Sequence, residues 1–459
     1  MKKIPITKLE KESEWEALEC FHMDRDTPVP TVESISQEET DDTSKKGGMH
    51  QVWMLAFSLA ILQIGFGVVT PIFPYYIESL GMAGLQLGTL AASFAISRIL
   101  FAGPLGGLSD RVGRKPVLIG ALLGFAIANV IYAFATNLIV MISARAIEGA
   151  VSAGFFPAAN AFVSDVTIPE NRGTGMGYLS MGNMVGFVAG PALGGALAQF
   201  LGFRIPFLIA AIVTLLTMGV VYGLVQEPIH VATHVEMSVP FRAALRASLN
   251  RFGAILSRAR AAYGALGVAM FANMFAMGIL EIAVLLDVTI NLGIQPIEIG
   301  MFFGVIGIVM IFANLGFGKL SDIIGRKWLI VIGALISAGS LVMFISARNV
   351  VDLLIAGVVL SIGMAMRGPA IQALIADLTD PSAFGSIMGL FGAVSNSAYA
   401  VSPLIGGKIF DDTSSSAMSL IIAAGVSVIG AGVAAGFLPN DSPSSKPAEQ
   451  VNTTLEFQD

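Results

Sequence analysis

The sequence predicts an all-α membrane protein made of two similar six-helix halves. Three observations support this: an apolar composition, a regular series of long apolar segments, and a ten-residue phrase that occurs twice. Residues 106–115 read GGLSDRVGRK, and residues 318–327 read GKLSDIIGRK. A repeat at this spacing inside an apolar chain indicates two halves of common design that lie parallel in the membrane.

The composition requires lipid as the solvent. Of the 459 residues, 55% are hydrophobic and 13% are charged, whereas soluble proteins carry about 25% charged residues. The single cysteine, Cys20, excludes an intrachain disulfide bond. The four histidines lie outside the apolar segments, and the chain has no Walker A phosphate loop. We therefore expect no metal, no cofactor and no enzyme activity.

Twelve segments are long enough to cross a bilayer, which takes about 20 apolar residues. They predict an N-terminal bundle over 51–225 and a C-terminal bundle over 262–438. A polar, mostly disordered tail precedes them at 1–50, an arginine-rich linker joins them at 226–261, and a second tail follows at 439–459. The predicted helices are 51–77, 86–108, 116–135, 138–163, 174–200, 204–225, 262–288, 297–318, 328–346, 351–375, 386–409 and 416–437.

The distribution of lysine and arginine predicts the orientation. With both termini in the cytoplasm, twenty of these residues lie in cytoplasmic segments and three lie outside. Because positive residues concentrate on the cytoplasmic side, we expect a multi-pass protein of the plasma (inner) membrane with both termini inside.

The doubled phrase resembles the loop signature of the major facilitator superfamily, which joins helices 2 and 3 and recurs between helices 8 and 9. The resemblance implies the major facilitator fold, and a gating loop in which Asp110 faces the positive N-terminus of helix 11 and locks the outward-facing state. The alternative is a loop whose charges only set the topology. The candidate gating residues are Gly106, Asp110, Arg111, Gly113, Arg114 and Lys115, with Asp322, Gly325, Arg326 and Lys327 in the second copy.

Helix 5 resembles the antiporter signature of the proton-coupled drug exporters in this superfamily. Its glycines at spacing four share one face and allow a neighbouring helix to approach closely. The resemblance implies that this seam packs on helix 8, and generic glycine packing is the alternative. The matching residues are Gly177, Gly186, Gly190, Pro191, Gly194 and Gly195, and Gly182 extends the same face.

Two acidic residues inside the predicted spans are candidates for proton coupling. Arg145 and Glu148 lie three residues apart on helix 4, so they share a face and can pair. They resemble the Arg-x-x-Gln-Gly motif of the family, with Glu148 in place of glutamine. The pair is either structural or proton-responsive. Glu281, in the outer half of helix 7, is the second candidate because ionised groups at membrane depth cost about 2.5–3.5 kcal/mol.

In this superfamily helices 1, 4, 7 and 10 line the cavity, and helices 2, 5, 8 and 11 flank it. The resemblance therefore implies a substrate cavity between the halves. The candidate cavity residues are Gln63, Phe66, Arg98, Asn273, Met277, Arg367 and Asn396.

The resulting prediction is a secondary transporter that exports amphipathic small molecules in exchange for protons by alternating access. We expect a monomer whose partners are a small-molecule substrate, protons and the lipid bilayer, with no nucleic acid. The alternatives are an importer, an exporter of metabolites or organic anions that uses Arg98 and Arg367, and a non-transporting membrane receptor.

Overall fold

In the computed structural model the described residues are 32–79, 81, 83–227, 260–379 and 384–439. The chain divides after Gly48, and the second compact unit begins at Met49. Residues 1–31 of the predicted N-terminal tail, most of the linker and nearly all of the C-terminal tail lie outside the described residues, whereas 32–50 are helical and belong to α1.

The described residues form twelve α-helices, which confirms the predicted fold class and the predicted number of helices. Eleven of them are long and apolar enough to cross a membrane. The remaining one, α11, carries Asn396 and Tyr399 among several serines. A five-residue π-helical segment, Asp287–Asn291, follows α7. The helices are α1 Val32–Ser79, α2 Gly84–Val112, α3 Arg114–Ala133, α4 Leu138–Val166, α5 Pro169–Leu201, α6 Arg204–Leu224, α7 Arg260–Leu286, α8 Pro296–Ile324, α9 Arg326–Ser346, α10 Val350–Leu378, α11 Phe384–Thr413 and α12 Ala417–Phe437.

The sequence repeat is also a structural repeat. Helices α2 and α4 pack together in the first half as α8 and α10 do in the second, and the pair α3–α6 corresponds to α9–α12. Two helix pairs that join the halves are α2 with α11 and α5 with α8. Each of these pairs relates one helix of the first half to one of the second.

The doubled phrase is mostly helical, which corrects the expectation of a loop. Helix α2 runs to Val112 and α3 begins at Arg114, so the chain reverses at Gly113 alone. Gly113 has φ 107° and Gly325, its counterpart between α8 and α9, has φ 93°. Residues with a Cβ rarely adopt such values, so glycine allows two long helices to join through one residue. We call the side of the molecule that carries these turns the signature side.

The two halves are in backbone contact on the opposite side, which we call the far side. A Cβ added at Gly88 of α2 would lie 2.3 Å from the carbonyl oxygen of Pro403 in α11. A Cβ added at Gly195 of α5 would lie 2.2 Å from the carbonyl oxygen of Pro296 in α8. Larger residues would force the helices apart, so these glycines close the far side.

Asp411, near the end of α11, adds a polar contact to this closure. Its carboxylate oxygens accept hydrogen bonds from the backbone N–H groups of Gly84 at 2.6 Å and Leu85 at 2.8 Å. These are unpaired donors of the first turn of α2, where the helix dipole favours a negative charge. A residue of the second half therefore caps a helix of the first half.

The signature side is open, as four pairs of glycines indicate. Each pair is eighteen residues apart, which is five full turns of an α-helix, so both members lie on one face. The far-side member of each pair touches the other half. A Cβ at the signature-side member would meet no atom of another described residue within 4 Å. The pairs, with the far-side member first, are Gly88 and Gly106 in α2, Gly195 and Gly177 in α5, Gly300 and Gly318 in α8, and Gly407 and Gly389 in α11.

The glycine seam of α5 packs on α1, and not on α8 as the resemblance implied. A Cβ at Gly182 would lie 2.2 Å from the carbonyl oxygen of Ala56, and one at Gly194 would lie 2.6 Å from the Cα of Val68. Gly186 and Gly190 meet α1 between these points. Only the neighbouring face, with Gly195, reaches α8. Glycines at spacing four mark a close approach, but they do not identify the partner helix.

Candidate functional site

A cavity of about 490 Å³ lies between the two halves at the level of the helix centres. Residues from α1, α2, α4, α5, α7, α8 and α11 form its wall, which combines several phenylalanines with a few polar groups. The polar lining residues are Gln63, Thr70, Arg98, Arg145, Asn183, Glu281 and Tyr399, and the apolar ones include Phe66, Phe94, Phe156, Phe187, Met277, Leu280 and Phe303.

The structure brings four of the seven predicted cavity residues into this wall, namely Gln63, Phe66, Arg98 and Met277. The other three lie elsewhere. Asn273 and Arg367 line a separate small pocket inside the second half, and Asn396 is not part of the central wall. The expectation that α10 contributes to the cavity is therefore wrong in this structure, because Arg367 of α10 lies among α7, α9 and α12.

Arg145 and Glu148 form a buried ion pair at the edge of the cavity. The guanidinium Nη1 lies 2.8 Å from Glu148 Oε2, and the two side chains are 11% and 0% exposed. Tyr132 of α3 donates a second hydrogen bond to the same carboxylate oxygen at 2.7 Å. Arg145 lines the cavity whereas Glu148 does not, so the arginine stands between the carboxylate and the open space.

Two aromatic rings hold the guanidinium of Arg145. Its Cζ lies 5.2 Å from the ring centre of Phe73 and 5.0 Å from that of Phe94. Cations at such distances are attracted to the faces of aromatic rings. The other carboxylate oxygen of Glu148, Oε1, and the Nε of Arg145 are buried without a hydrogen-bond partner among the described residues. The pair is therefore only partly satisfied, although it is enclosed.

Glu281 lies on α7, on the other side of the cavity, in the second half. Its carboxylate accepts a hydrogen bond from the hydroxyl of Tyr399 on α11. Both residues line the cavity together with Arg145, whose positive charge acts on both of them. A second, small apolar pocket extends from Glu281 between α7, α8 and α10. The sequence predicted Glu281 but not its partner Tyr399.

Arg98 is the other cation in the cavity wall. It is half-buried, and its guanidinium lies 5.7 Å from the ring centre of Phe156. No carboxylate in the described ranges pairs with it. The cavity wall thus contains one paired cation, one cation without an acidic partner, and one carboxylate.

The predicted gating residues of the first copy form an ion network on the signature side. Arg114 lies 2.5 Å from Asp110 in the preceding helix and 3.2 Å from Asp165 at the end of α4. In the second copy Arg326 lies 3.0 Å from Asp377. Both arginine–aspartate pairs fall at the same offset, so the network is part of the repeat. The side chain of Asp322 lies outside the described residues.

The remaining gating residues differ in their surroundings. Asp110 is 67% exposed and contacts Arg114, and no contact with the described part of α11 is present. Arg111 is exposed, and Lys327 is buried beside the ring of Trp328. Lys115 donates to the carbonyl oxygen of Tyr222 at 2.7 Å. The open space beside Gly106 of α2 and Gly389 of α11 agrees with the absence of an Asp110–α11 contact among the described residues.

Glu227, three residues beyond the end of α6, makes a contact that the sequence did not reveal. Its carboxylate oxygens accept hydrogen bonds from the backbone N–H groups of Arg114 at 2.6 Å and Lys115 at 2.8 Å. It thereby caps the start of α3. Within the described parts of the chain, no group of three or more histidine, cysteine or acidic side chains is arranged to hold a metal ion.

A mostly apolar cavity with a few polar groups, between two repeated helical bundles and closed on one side, defines a membrane transporter rather than an enzyme. The family model of the Major Facilitator Superfamily matches residues 55–271 and 266–456. These two matches cover nearly all of both halves. The chain belongs to the Major Facilitator Superfamily.

Two bacterial drug-resistance proteins match about a third of the chain. The quinolone resistance protein NorA of Staphylococcus aureus (strain MRSA252) is 31% identical over 150 residues, which is 32% of this chain and 38% of NorA. Multidrug resistance protein 2 of Bacillus subtilis (strain 168) is 32% identical over 147 residues, 32% of this chain and 37% of that protein. The matched region thus spans little more than a third of these relatives.

Solved structures share the fold at low sequence identity. A bacterial homologue of the human lysosomal transporter Spinster, in an inward-facing and unoccupied conformation, superposes with a TM-score of 0.69 at 17% identity. The match covers 86% of this chain and 96% of that one. The human organic anion transporter MFSD10 (TETRAN) gives a TM-score of 0.62 at 19% identity, covering 84% and 99%.

Proposed function

We propose that this protein exports amphipathic small molecules across the plasma (inner) membrane in exchange for protons, as a monomer with both termini in the cytoplasm. The observation that carries the proposal is the placement of two carboxylates, Glu148 and Glu281, in different halves beside one central cavity. The partial match to quinolone and multidrug resistance proteins supports the direction and the class of cargo.

The orientation follows from the charges of the signature side. Arg111, Arg114, Lys115, Arg326 and Lys327 all lie there, and such residues favour the cytoplasmic face. The structure then represents the state that is open to the cytoplasm. An exporter loads its cargo in this state.

The cavity wall supports an amphipathic cargo. Phenylalanines such as Phe66, Phe94 and Phe187 offer apolar surface, while Gln63 and Asn183 offer hydrogen bonds. The Oδ1 atom of Asn183 is buried without a partner in the described structure. A ligand site of mostly apolar surface with a few polar groups is typical for small molecules.

Competition at Glu281 couples the two fluxes. The carboxylate either binds a proton or interacts with cargo in the cavity, and each form excludes the other. Cargo arriving from the cytoplasm displaces the proton, and a proton arriving from outside displaces the cargo. One proton moving down 100 mV provides about 2.3 kcal/mol.

Glu148 and Arg145 extend this coupling to the first half. A proton on Glu148 removes its charge and weakens its bond to Arg145. The guanidinium, still charged, is then free to turn toward Glu281 across the cavity. Both carboxylates thus act on one cation that belongs to the cavity wall.

The glycine faces explain how the other side closes. Gly106, Gly177, Gly318 and Gly389 lie five turns from glycines that are in contact on the far side. When the halves rock, these signature-side glycines allow the same close approach there. Asp110 then reaches the start of α11, as Asp411 now reaches the start of α2.

The test uses purified full-length protein in liposomes with an acidic lumen. Accumulation of a fluorescent amphipathic dye measures proton-driven transport, and exchange of labelled for unlabelled dye without a pH gradient measures transport alone. For Glu281→Gln we expect accumulation at the level of empty liposomes, while exchange persists, because glutamine cannot carry the proton.

Asp352→Asn is the matched control, because this half-buried carboxylate lies outside the cavity wall and accepts a hydrogen bond from the N–H of Arg348 at the start of α10. It leaves both assays unchanged. Full accumulation by Glu281→Gln would remove this residue from the coupling mechanism, and a wild-type protein that exchanges no dye would refute the proposed cargo class.

Export of organic anions is the second candidate. Arg98 supports it, because this cation in the cavity wall has no acidic partner among the described residues. An anionic dye in the same liposomes separates the two. Accumulation of the anionic but not the cationic dye, lost in Arg98→Gln, would favour this candidate.

A further inference from the structure

A small pocket of about 10 Å³ lies inside the second half, between α7, α9, α10 and α12. It shares no lining residue with the central cavity. Its polar lining consists of Arg367, Asn273 and Ser427, and the rest is alanine, isoleucine and glycine. A volume of this size holds about one water molecule or one small ion.

Arg367 is a buried cation that has no counter-charge among the described residues. Its side chain lies in a residue that is 6% exposed. Its Nε is buried without a hydrogen-bond partner, and no carboxylate in the described ranges acts on it. The other deeply buried arginine, Arg145, has Glu148 at 2.8 Å. The buried arginine of the first half thus has an acidic partner, whereas that of the second half has none among the described residues.

Asn273 faces the same pocket with unused hydrogen-bonding capacity. Its Oδ1 is buried without a partner among the described residues. Oxygen and nitrogen of an amide exchange places on a half-turn, so the amide can direct its N–H₂ group into the pocket. Ser427 already donates to the carbonyl oxygen of Ala423 at 3.0 Å. Arg367 and Asn273 thus supply two donor groups at one point.

We propose that Arg367 and Asn273 form a binding site for one small inorganic anion of the size of chloride. Arginine stays protonated in proteins, so this buried charge is not removed by losing a proton. An ionised side chain at membrane depth is costly, and a bound anion neutralises its charge. The pocket is too small for a lipid phosphate group or for the amphipathic cargo.

The position of the site gives the anion a structural role. Asn273 lies eight residues before Glu281 on α7, and Arg367 lies at the centre of α10. An anion between them joins α7 to α10 next to α9 and α12. It therefore stabilises the half that carries Glu281, whatever cargo the protein moves.

The test measures melting of purified full-length protein in sodium chloride and in sodium gluconate at equal ionic strength. We expect a saturable rise in melting temperature with chloride for the wild type. Arg367→Met should have the same melting temperature in both salts. In gluconate its melting temperature should be no lower than that of the wild type, because the variant lacks the buried charge of Arg367. Asn273→Ala should require several-fold more chloride for the same rise.

Arg98→Gln is the matched control, since Arg98 also lacks an acidic partner but faces the wide central cavity; it should keep the full chloride effect. Crystals grown in bromide locate the ion directly, and an anomalous peak between Arg367 and Asn273 is expected. Equal wild-type melting in both salts, or a chloride effect that persists in Arg367→Met, overturns the proposal. If Arg367→Met fails to fold, absence of the bromide peak in the wild type overturns it equally. None of these readouts depends on transport.

Discussion

The two halves share a scaffold but not their membrane charges. The single-residue turns at Gly113 and Gly325 and the pairs Arg114–Asp165 and Arg326–Asp377 recur at one offset. The ionised residues inside the helices do not. At the same offset, apolar residues or glycine stand opposite each of them: Gly357 for Arg145, Leu360 for Glu148, Val69 for Glu281 and Phe155 for Arg367. The glycine turns and the ion pairs beside them are thus repeated in both halves, whereas the charged residues inside the membrane are not.

The halves also differ in how their charges are compensated. In the first half, Arg145 and Tyr132 both donate hydrogen bonds to one carboxylate oxygen of Glu148 within α3 and α4. In the second half, Glu281 has only the hydroxyl of Tyr399, and Arg367 has no acidic partner in the described residues. We infer that a proton disrupts the Arg145–Glu148 pair of the first half. In the second half, we infer that bound cargo or an anion compensates the charges of Glu281 and Arg367.

The largest expected effect is the loss of Arg145. Arg145→Met leaves Glu148 buried without its partner, and breaking a buried pair on one side costs about 3–5 kcal/mol of folding stability. The double variant Arg145→Met/Glu148→Met should recover most of that stability but no proton-driven export. Unfolding in a denaturing detergent measures the first, and dye accumulation measures the second. Equal stability of the single variant and the wild type would show that the pair is not structurally coupled.

Glu148→Gln should abolish proton-driven export while the protein still inserts and is produced at normal levels. Glutamine keeps the hydrogen bond from Tyr132 but carries no charge, so Arg145 is permanently released. The variant Glu281→Gln provides the comparison between the halves. Glu281 faces the cavity, so this variant should also change the affinity for dye. Glu148 does not line the cavity, so Glu148→Gln should leave that affinity unchanged. Binding measured by dye fluorescence separates them. Undiminished proton-driven export by Glu148→Gln would remove it from the mechanism.

Gly106→Leu and Gly318→Leu should stop transport without lowering the melting temperature. Neither glycine has a neighbour within 4 Å in the described structure, so leucine is tolerated in this state but blocks closure of the signature side. Gly120→Leu on α3 and Gly339→Leu on α9 are controls, because these glycines also have open space but lie on helices outside the two main interfaces between the halves. Normal export by Gly106→Leu or Gly318→Leu would contradict the proposed closure.

The smallest expected effect belongs to Asp411→Asn. Replacing the charged cap of α2 by a neutral one should weaken the far-side closure by about 1 kcal/mol. Distances between spin labels at the far-side ends of α6 and α12 should shift toward the open form. Asp412→Asn is the control, because Asp412 pairs with Lys408 of its own helix at 2.5 Å. A label distribution identical in wild type and Asp411→Asn would deny the cap a role in gating.

The sequence predicted what local patterns encode. Apolar length gave the twelve helices, the repeat gave the two halves, and spacing three gave the pair of Arg145 and Glu148. Contacts between distant residues were not predictable in this way. Asp411 meets Gly84 across 327 positions, and Glu227 meets Arg114 across 113. No pattern along one helix contains that information.

The errors have the same physical origin. The seam of Gly182 to Gly194 predicted a close neighbour correctly, but the choice between α1 and α8 depends on packing of the whole bundle. Arg367 was placed in the cavity because of its helix, yet its direction depends on rotation of α10 about its axis. The resemblance places the signature phrase in a loop. A single glycine with positive φ is nevertheless enough to reverse the chain between two helices.

The close approach of α5 to α1 has a mechanical consequence. Backbone approaches backbone at Gly182, Gly186, Gly190 and Gly194, so few side chains separate the two helices along this stretch. We therefore expect α1 and α5 to move as one rigid body. Gln63 and Phe66 on one and Asn183 and Phe187 on the other keep their mutual spacing throughout the cycle, so this wall of the cargo chamber presents the same chemical face to both sides of the membrane.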